Sequence, residues 1–204
     1  MKDINISNFK TDNVTNMSSM FYFCYNLQLI DLSNFNTNNV QDMSMMFACC
    51  FNLKELDVSN FNTNNVTDMD GMFMGCFKLQ KLNVSNFNTS NVTTMDGMFL
   101  NCFNLQNIDV SNFNIHSVES MQKMFMNCKK WNGNAPEWWK KIDSKSIKCN
   151  NVFTGCKSLL NYNDIPIEWK QENENWEKES EEDYWSNKNN IEELIQQMNI
   201  KQNI

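Results

Sequence analysis

The sequence predicts an α/β solenoid: a right-handed array of 26-residue coils with a parallel sheet on one face, short helices or 3₁₀ turns on the other, and a helical C-terminal cap. Three observations predict it. The first is a repeat, since Ser-Asn-Phe returns at Phe9, Phe35, Phe61, Phe87 and Phe113, 26 residues apart each time. The second is that whole columns return with it. Val14, Val40, Val66, Val92 and Val118 keep the phase, as do Met17, Met43, Met69, Met95 and Met121. So do the Met-Phe pairs ending at Phe21, Phe47, Phe73, Phe99 and Phe125, and the cysteines Cys24, Cys50, Cys76, Cys102 and Cys128. The third is that each repeat has two halves. In residues 53–61, Leu56 and Val58 alternate with outward residues as in a strand. In residues 66–76 the apolar positions fall at i, i+3, i+6, i+7 and i+10, one stripe of a short helix or 3₁₀ turn. One such coil cannot bury its own apolar face, whereas stacked coils bury each column against its copies.

Taken in order, residues 1–130 hold five repeats, with residues 2–9 as the strand of the first. No cap precedes that strand, so the first coil offers a route to self-association. Residues 131–165 are a degenerate sixth repeat with a Trp-rich insertion. There Pro136, followed by Glu137, Trp138 and Trp139, reads as the start of a short helix replacing a strand. The columns then return as Cys149, Val152-Phe153, Cys156 and Leu159. Residues 166–204 form an acidic, aromatic cap or tail, with Trp169 and Trp176 seven apart and Ile191, Leu194, Ile195 and Met198 at helical spacing. Three readings of this segment stand side by side: a cap on the last coil, a segment that docks on a basic partner, or a partly disordered tail.

The motif Leu-Asp-Val-Ser-Asn-Phe-Asn-Thr-Asn-Asn-Val-Thr-Asp-Met-x-x-Met-Phe-x-x-Cys, read here at residues 56–76, resembles the repeat of BspA-like leucine-rich-repeat surface proteins, the mycoplasma-type lipoprotein repeat. The resemblance covers residues 3–128. It implies an adhesive or ligand-binding solenoid, and it brings no catalytic residues to carry over.

Composition narrows the function further. The formal net charge is −7 and the sequence pI is near 4.8, which argues against direct binding of nucleic acid or an anionic membrane. No run approaches eighteen apolar residues, so no membrane insertion is expected. The N-terminus lacks an apolar signal region. The compartment is cytoplasmic if Met1 is the native start, and the cell surface if a leader or anchor has been removed. The 37 Asn, and 17 Lys with no Arg, are in part what an AT-rich coding sequence produces.

Chemistry-bearing residues are few. Six of the eight cysteines share one column behind Met-Phe and read as buried thiols, with no zinc-type spacing. Cys49 adjoins Cys50 and should face the other way, which marks it as the reactive thiol. His116 is the single histidine, in a loop with no partner placed to orient it. No phosphate-binding, dinucleotide or calcium loop is present. The chain is therefore expected to be no enzyme and to hold no metal or cofactor, and its partner is expected to be another protein. Binding falls to the outward strand columns. One runs Asp3, Leu29, Glu55, Lys81, Asn107; the next Asn5, Asp31, Asp57, Asn83, Asp109; the third is an invariant Ser column suited to bonding along the stack. Phe51, Phe77 and Phe103 form an aromatic stripe that reads as packing or as a binding strip. The candidate partner-binding residues are Glu55, Lys81, Asp31, Asp57 and Asp109 on the sheet. On the tail they are Trp169, Trp176, Glu179, Glu181, Glu182, Asp183, Tyr184 and Trp185. Two functions follow: a non-catalytic protein-binding solenoid of the adhesin kind, or an intracellular acidic protein that occludes a basic, nucleic-acid-binding partner.

Overall fold

A computed structural model describes residues 4–142 and 146–170. The coils stack through two parallel ladders. On the strand face, β1 (Glu55–Leu56) pairs with β2 (Lys81–Leu82), Glu55 opposite Lys81 and Leu56 opposite Leu82, and a bridge continues from Lys81 to Asn107. The second ladder runs Asn16, Asp42, Asp68, Thr94, Ser120, Lys148, each bridged in parallel to the next. The strands are short because each coil turns away after two or three residues of pairing.

The return half is a ladder of turns and not the helix or 3₁₀ segment its apolar spacing suggests. Amides of Met43, Met45, Phe47 and Cys49 donate to carbonyls of the next coil at 3.1, 2.7, 2.9 and 2.7 Å. The amides between them, from Met46 and Ala48, instead donate three residues back, to Met43 and Met45. Two positions per coil hold positive φ: Met45 and Cys49, then Gly71 and Gly75, Gly97 and Asn101, Lys123 and Asn127. A left-handed residue every fourth place prevents any run of helical dihedrals. The apolar spacing survives because three- and four-residue turns return side chains inward as often as a helix does.

The core is a set of through-going columns. Phe21, Phe47, Phe73, Phe99, Phe125 and Phe153 stack along the array at centroid distances of 5.2–5.9 Å, flanked by buried Met, Val, Leu and Cys columns. The cysteine column has a hydrogen-bonding reason. Each thiol donates to the Phe carbonyl of the preceding coil, Cys50 to Phe21 at 3.3 Å, Cys76 to Phe47 at 3.2 Å and Cys102 to Phe73 at 3.2 Å. Those carbonyls already accept one amide each, so the thiol fills a second lone pair that would otherwise be buried empty.

Asparagine is structural in the same sense. Asn60 Nδ2 donates to the Leu32 and Phe35 carbonyls at 2.9 and 3.0 Å, Asn34 and Asn86 repeat the bridge, and Asn112 donates to the Ser85 carbonyl at 2.9 Å. Asn39, Asn65 and Asn91 each donate to a carbonyl of the coil before. These bonds tie coil to coil where the strand pairing has stopped.

The C-terminal end is closed by aromatics. The insertion forms a 3₁₀ turn, Trp138–Lys140, and two more, Tyr162–Asp164 and Ile167–Trp169, follow near the end of the described residues. Trp169 lies on Phe153 at 6.2 Å and 16°, and its carbonyl accepts the Phe153 amide at 2.8 Å. A further coil would offer that amide an acceptor of the same kind. Of the expected helical cap, residues 166–170 hold the last of these 3₁₀ turns, and Ile191, Leu194, Ile195 and Met198 lie outside the described residues.

Candidate partner-binding surface

The two outward strand columns differ in what their side chains do. Asp31, Asp57 and Asp109 are exposed, yet each carboxylate turns back on its own coil. Oδ1 accepts the amide of Ser33, Ser59 or Ser111 at 2.9, 2.9 and 3.0 Å. For Asp31 the Ser33 amide, then its hydroxyl, holds the carboxyl below its ordinary range. For Asp57 and Asp109 the serine hydroxyl, then the amide, does the same. Asn5 and Asn83 make the identical bond to Ser7 and Ser85, so this column selects an acceptor oxygen in an Asx turn and accepts Asp or Asn alike. The serine amides are taken within their own coil, while along the stack the carbonyls of Ser7, Ser59 and Ser85 accept from Asn34, Asn86 and Asn112.

The other column is free of that duty. Leu29 is 65% exposed, Glu55, Lys81 and Asn107 are exposed, and the contact between them is the Lys81–Glu55 ion pair at 3.0 Å. An exposed pair of this kind adds little to stability. Its side chains differ in size and charge from coil to coil while the columns beside it repeat.

Trp169 does not belong among the partner-binding residues. It is 1% exposed, held between Phe153 and Trp139, because the last coil needs an apolar lid. Asp3, Trp176, Glu179, Glu181, Glu182, Asp183, Tyr184 and Trp185 lie outside the described residues. The aromatic stripe is packing: Phe51 and Phe103 are 6% and 2% exposed, and half-buried Phe77 stacks on Phe51 at 4.6 Å and lies tilted against Phe103 at 5.2 Å. Cys49 is not the reactive thiol expected of it, because burial pushes it up to about 12 and leaves no thiolate at neutral pH. His116 is exposed and its amide closes an Asx turn on Asn114 at 2.9 Å.

Chemistry at other positions is equally sparse. Among the described residues no group of three or more His, Cys, Asp or Glu is arranged to hold a metal ion, and no helix is long and apolar enough to cross a membrane. The first coil differs from those that follow it in the exposure of its phenylalanine. Phe9 is 49% exposed, whereas Phe35, Phe61, Phe87 and Phe113, its counterparts, are 2–5% exposed. A cavity of about 270 Å³ lies there, lined by Ile4, Ile6, Asp31, Ser33 and their neighbours.

Comparison with known proteins places the chain. It is similar to the crystal structure of a leucine rich cell surface protein from Faecalibacterium prausnitzii, with 23% identity and a TM-score of 0.49 over 73% of this chain and 36% of that one. The chain thus spans about a third of the length of the protein it matches. No curated protein matches. The family model described as "Mycoplasma protein of unknown function, DUF285" matches residues 2–56 and 48–169, nearly all of the repeat array, and the chain belongs to that family, whose mycoplasma-type repeat its 26-residue motif resembles.

Proposed function

We propose that this chain is a non-catalytic binding solenoid of the ligand-binding or adhesin kind, which takes a protein partner on its strand face. The observation that supports it is the contrast between neighbouring columns. Phe, Met, Cys, Thr and Asx positions repeat because the scaffold uses them, while Leu29, Glu55, Lys81 and Asn107 vary and project outward. A rigid array with one variable outward column can change its partner without changing its fold. Leu29 is the anchor of this surface, as a large exposed apolar side chain beside charged neighbours.

The test is binding of the full chain to a panel of immobilised extracellular-matrix and serum proteins, beside a Leu29→Arg, Glu55→Lys variant. A partner bound at micromolar strength or better and lost by at least tenfold in the variant supports the reading. Binding unaltered by the variant, or no binding to any protein of the panel, overturns it.

A further inference from the structure

Around its return turns the array changes character from coil to coil. Residues 37–49, 63–75 and 89–101, the return segments of three successive coils, hold four carboxylates and no lysine. The same segments carry Met45, 40% exposed, and the half-buried Met74 and Leu100. Glycines at left-handed places bring these three together. A Cβ added at Gly71 would meet Met45 Cγ at 3.4 Å and Met74 Cβ at 3.6 Å, and one added at Gly97 would meet Leu100 Cβ and Cδ2 at 3.5 Å. Met74 and Leu100 thus lie beside the spaces that glycine leaves open, and Met45 reaches the first of them from the coil before. The result is an apolar strip over two coil steps, roughly 10 Å at about 4.8 Å per step. Tyr22 and Phe23, half-buried rings 6.0 Å apart, continue it into the first coil.

The four carboxylates, Asp42, Asp68, Asp70 and Asp96, border this strip. Asp70 and Asp96 stand directly before Gly71 and Gly97, and Asp42 and Asp68 stand three residues before Met45 and Gly71. Each is half-buried and fixed through one oxygen. Oδ1 of Asp42 and of Asp68 accepts the amide of Ser44 and of Asp70, both at 2.8 Å. Oδ1 of Asp70 and of Asp96 accepts the amide of Asp96 and of Gln122, one coil on, both at 2.6 Å. These bonds hold the carboxylates in register along one side of the strip. Burial, and with it the neighbouring carboxylates, pushes Asp68 and Asp70 up. A cation set among them therefore relieves repulsion as well as adding attraction.

We propose that the return face binds a basic amphipathic helix of another protein, its apolar side chains on Met45, Met74 and Leu100 and its Lys or Arg beside Asp42, Asp68, Asp70 and Asp96. Charge complementarity selects this occupant: an apolar strip bordered by carboxylates fits a segment with one apolar face and cations flanking it. The dimensions agree. A helix brings residues i, i+3 or i+4, and i+7 to one side over about 10 Å, the length of the strip from Met45 to Leu100. Methionine suits such a surface because its unbranched thioether chain adapts to different apolar partners. The carboxylates would repel nucleic acid and an anionic membrane surface. This face shares no residue with the strand-face reading, and the proposal does not rest on it.

The experiment uses the full chain and a fourteen-residue peptide of leucine and lysine patterned as an amphipathic helix. A scrambled peptide of the same composition and the same pattern with glutamate for lysine are the controls. Met45→Asn, Met74→Gln, Leu100→Gln removes the apolar strip, and asparagine suits the φ of 54° at position 45. Asp70→Asn, Asp96→Asn removes two charges and keeps the oxygens that accept the Asp96 and Gln122 amides. Circular dichroism establishes that the variants fold. The patterned peptide is expected to bind at micromolar strength, the scrambled one at least tenfold more weakly and the glutamate one not at all. The strip variant should weaken binding at least tenfold, and the charge variant at least threefold with a shallower dependence on salt. The strand-face variant, Leu29→Arg, Glu55→Lys, should change it less than twofold, which separates failure here from failure of the strand-face reading. If the strip variant misfolds, Met45→Asn alone is expected to weaken binding at least threefold. The proposal is overturned if the patterned peptide does not bind, if the scrambled or glutamate peptide binds as well, if the strip variant, or Met45→Asn in its place, leaves affinity unchanged, or if the strand-face variant weakens binding as much as the strip variant does.

Discussion

Single side chains in this array stand in for backbone pairing, and the threonines show it best. Thr63 is 1% exposed. Its hydroxyl accepts the Asn88 amide at 2.8 Å and donates to the Asn88 carbonyl at 3.0 Å. One hydroxyl thus satisfies both backbone groups of one residue in the next coil, as a strand neighbour would. Thr37 and Thr89 repeat the pairing on Asn62 and Asn114. The fifth place holds Ile115, where the irregular insertion follows in place of another Asn to be paired. Thr63→Val keeps the shape and removes the hydroxyl, leaving an amide and a carbonyl buried without partners. That change is expected to cost about 2–4 kcal/mol, whereas Thr63→Ser should cost less than about 1 kcal/mol; urea unfolding of the two variants measures the difference, and equal losses would mean that packing and not pairing matters here. The return-face carboxylates make the opposite point. Asp68 and Asp70 titrate above their ordinary value of 3.8, chiefly because burial disfavours the charged form, with neighbouring carboxylates adding to it. A raised carboxyl in the folded state binds protons more tightly than the unfolded chain does, so these groups add stability as pH falls toward 4 and withdraw it as pH rises. Asp31, Asp57 and Asp109, held below 3.8, act in the other sense and lose their contribution only as pH falls below that value. Asp68→Asn keeps the oxygen that accepts the Asp70 amide at 2.8 Å. It should therefore raise Tm at pH 7 and leave it unchanged at pH 3, where Asp68 is already neutral; a lower Tm at pH 7 would refute the assignment.

At the scale of the element, the turn ladder has two left-handed positions in each coil, and their occupants tell how strictly each is used. Gly71, at φ 57°, has room: an added Cβ would meet Met45 Cγ at 3.4 Å and Met74 Cβ at 3.6 Å, ordinary contact distances. Gly155, at φ 75°, has none, because a Cβ there runs into Asn127 Oδ1, whose side chain is fixed by a 2.9 Å bond from Asn127 Nδ2 to Asn101. Gly71→Ala should thus carry only the dihedral cost, about 1 kcal/mol. Gly155→Ala should cost at least about 2 kcal/mol, since it must also dislodge the Asn127 amide. Chemical denaturation of the pair tests this, and equal costs would show that Asn127 moves aside freely. The same element marks where the sequence could be read and where it could not. Strand columns, core columns and their phase were legible because burial imposes one residue class at each place. The turn ladder was not, because its apolar positions fall at the same spacings as a helical stripe. The pairs Gly71 and Gly75, Gly97 and Asn101, and Asn151 and Gly155 carried the missing signal: two small left-handed formers four apart in one coil do not belong in a helix interior. The Asp column misled for a related reason. Exposure was right for Asp31, Asp57 and Asp109, but a carboxylate two residues before a serine is already committed to its own turn.

At the scale of the whole array, the first and last described coils differ in how their aromatic column is covered. The first coil leaves Phe9 half-exposed, whereas the last coil is covered by Trp131, Trp138 and Trp169, which are 1%, 6% and 1% exposed. Trp169 looked like bait for a partner because it opens an acidic stretch, and residues far from it in sequence, Phe153 and Trp139, decide otherwise. It continues the aromatic column past Phe153 and supplies the carbonyl that the Phe153 amide needs. Because each coil touches only its neighbours, stability in such an array is close to a sum of nearest-neighbour terms, and damage at one end stays there until the ends unzip. Trp169→Ala removes a fully buried indole, expected to cost about 3–5 kcal/mol. That loss should fall unevenly. Amides of residues 146–160 should exchange with solvent at least tenfold faster in the variant, while those of Met43, Phe47 and Phe73, three to four coils away, should change less than twofold under conditions where the array does not unfold globally. Hydrogen exchange resolved by residue measures both. A uniform acceleration along the array would mean that the coils unfold as one unit and that Trp169 contributes to a common core; a protected last coil in the variant would mean that Trp131 and Trp138 close the end without it.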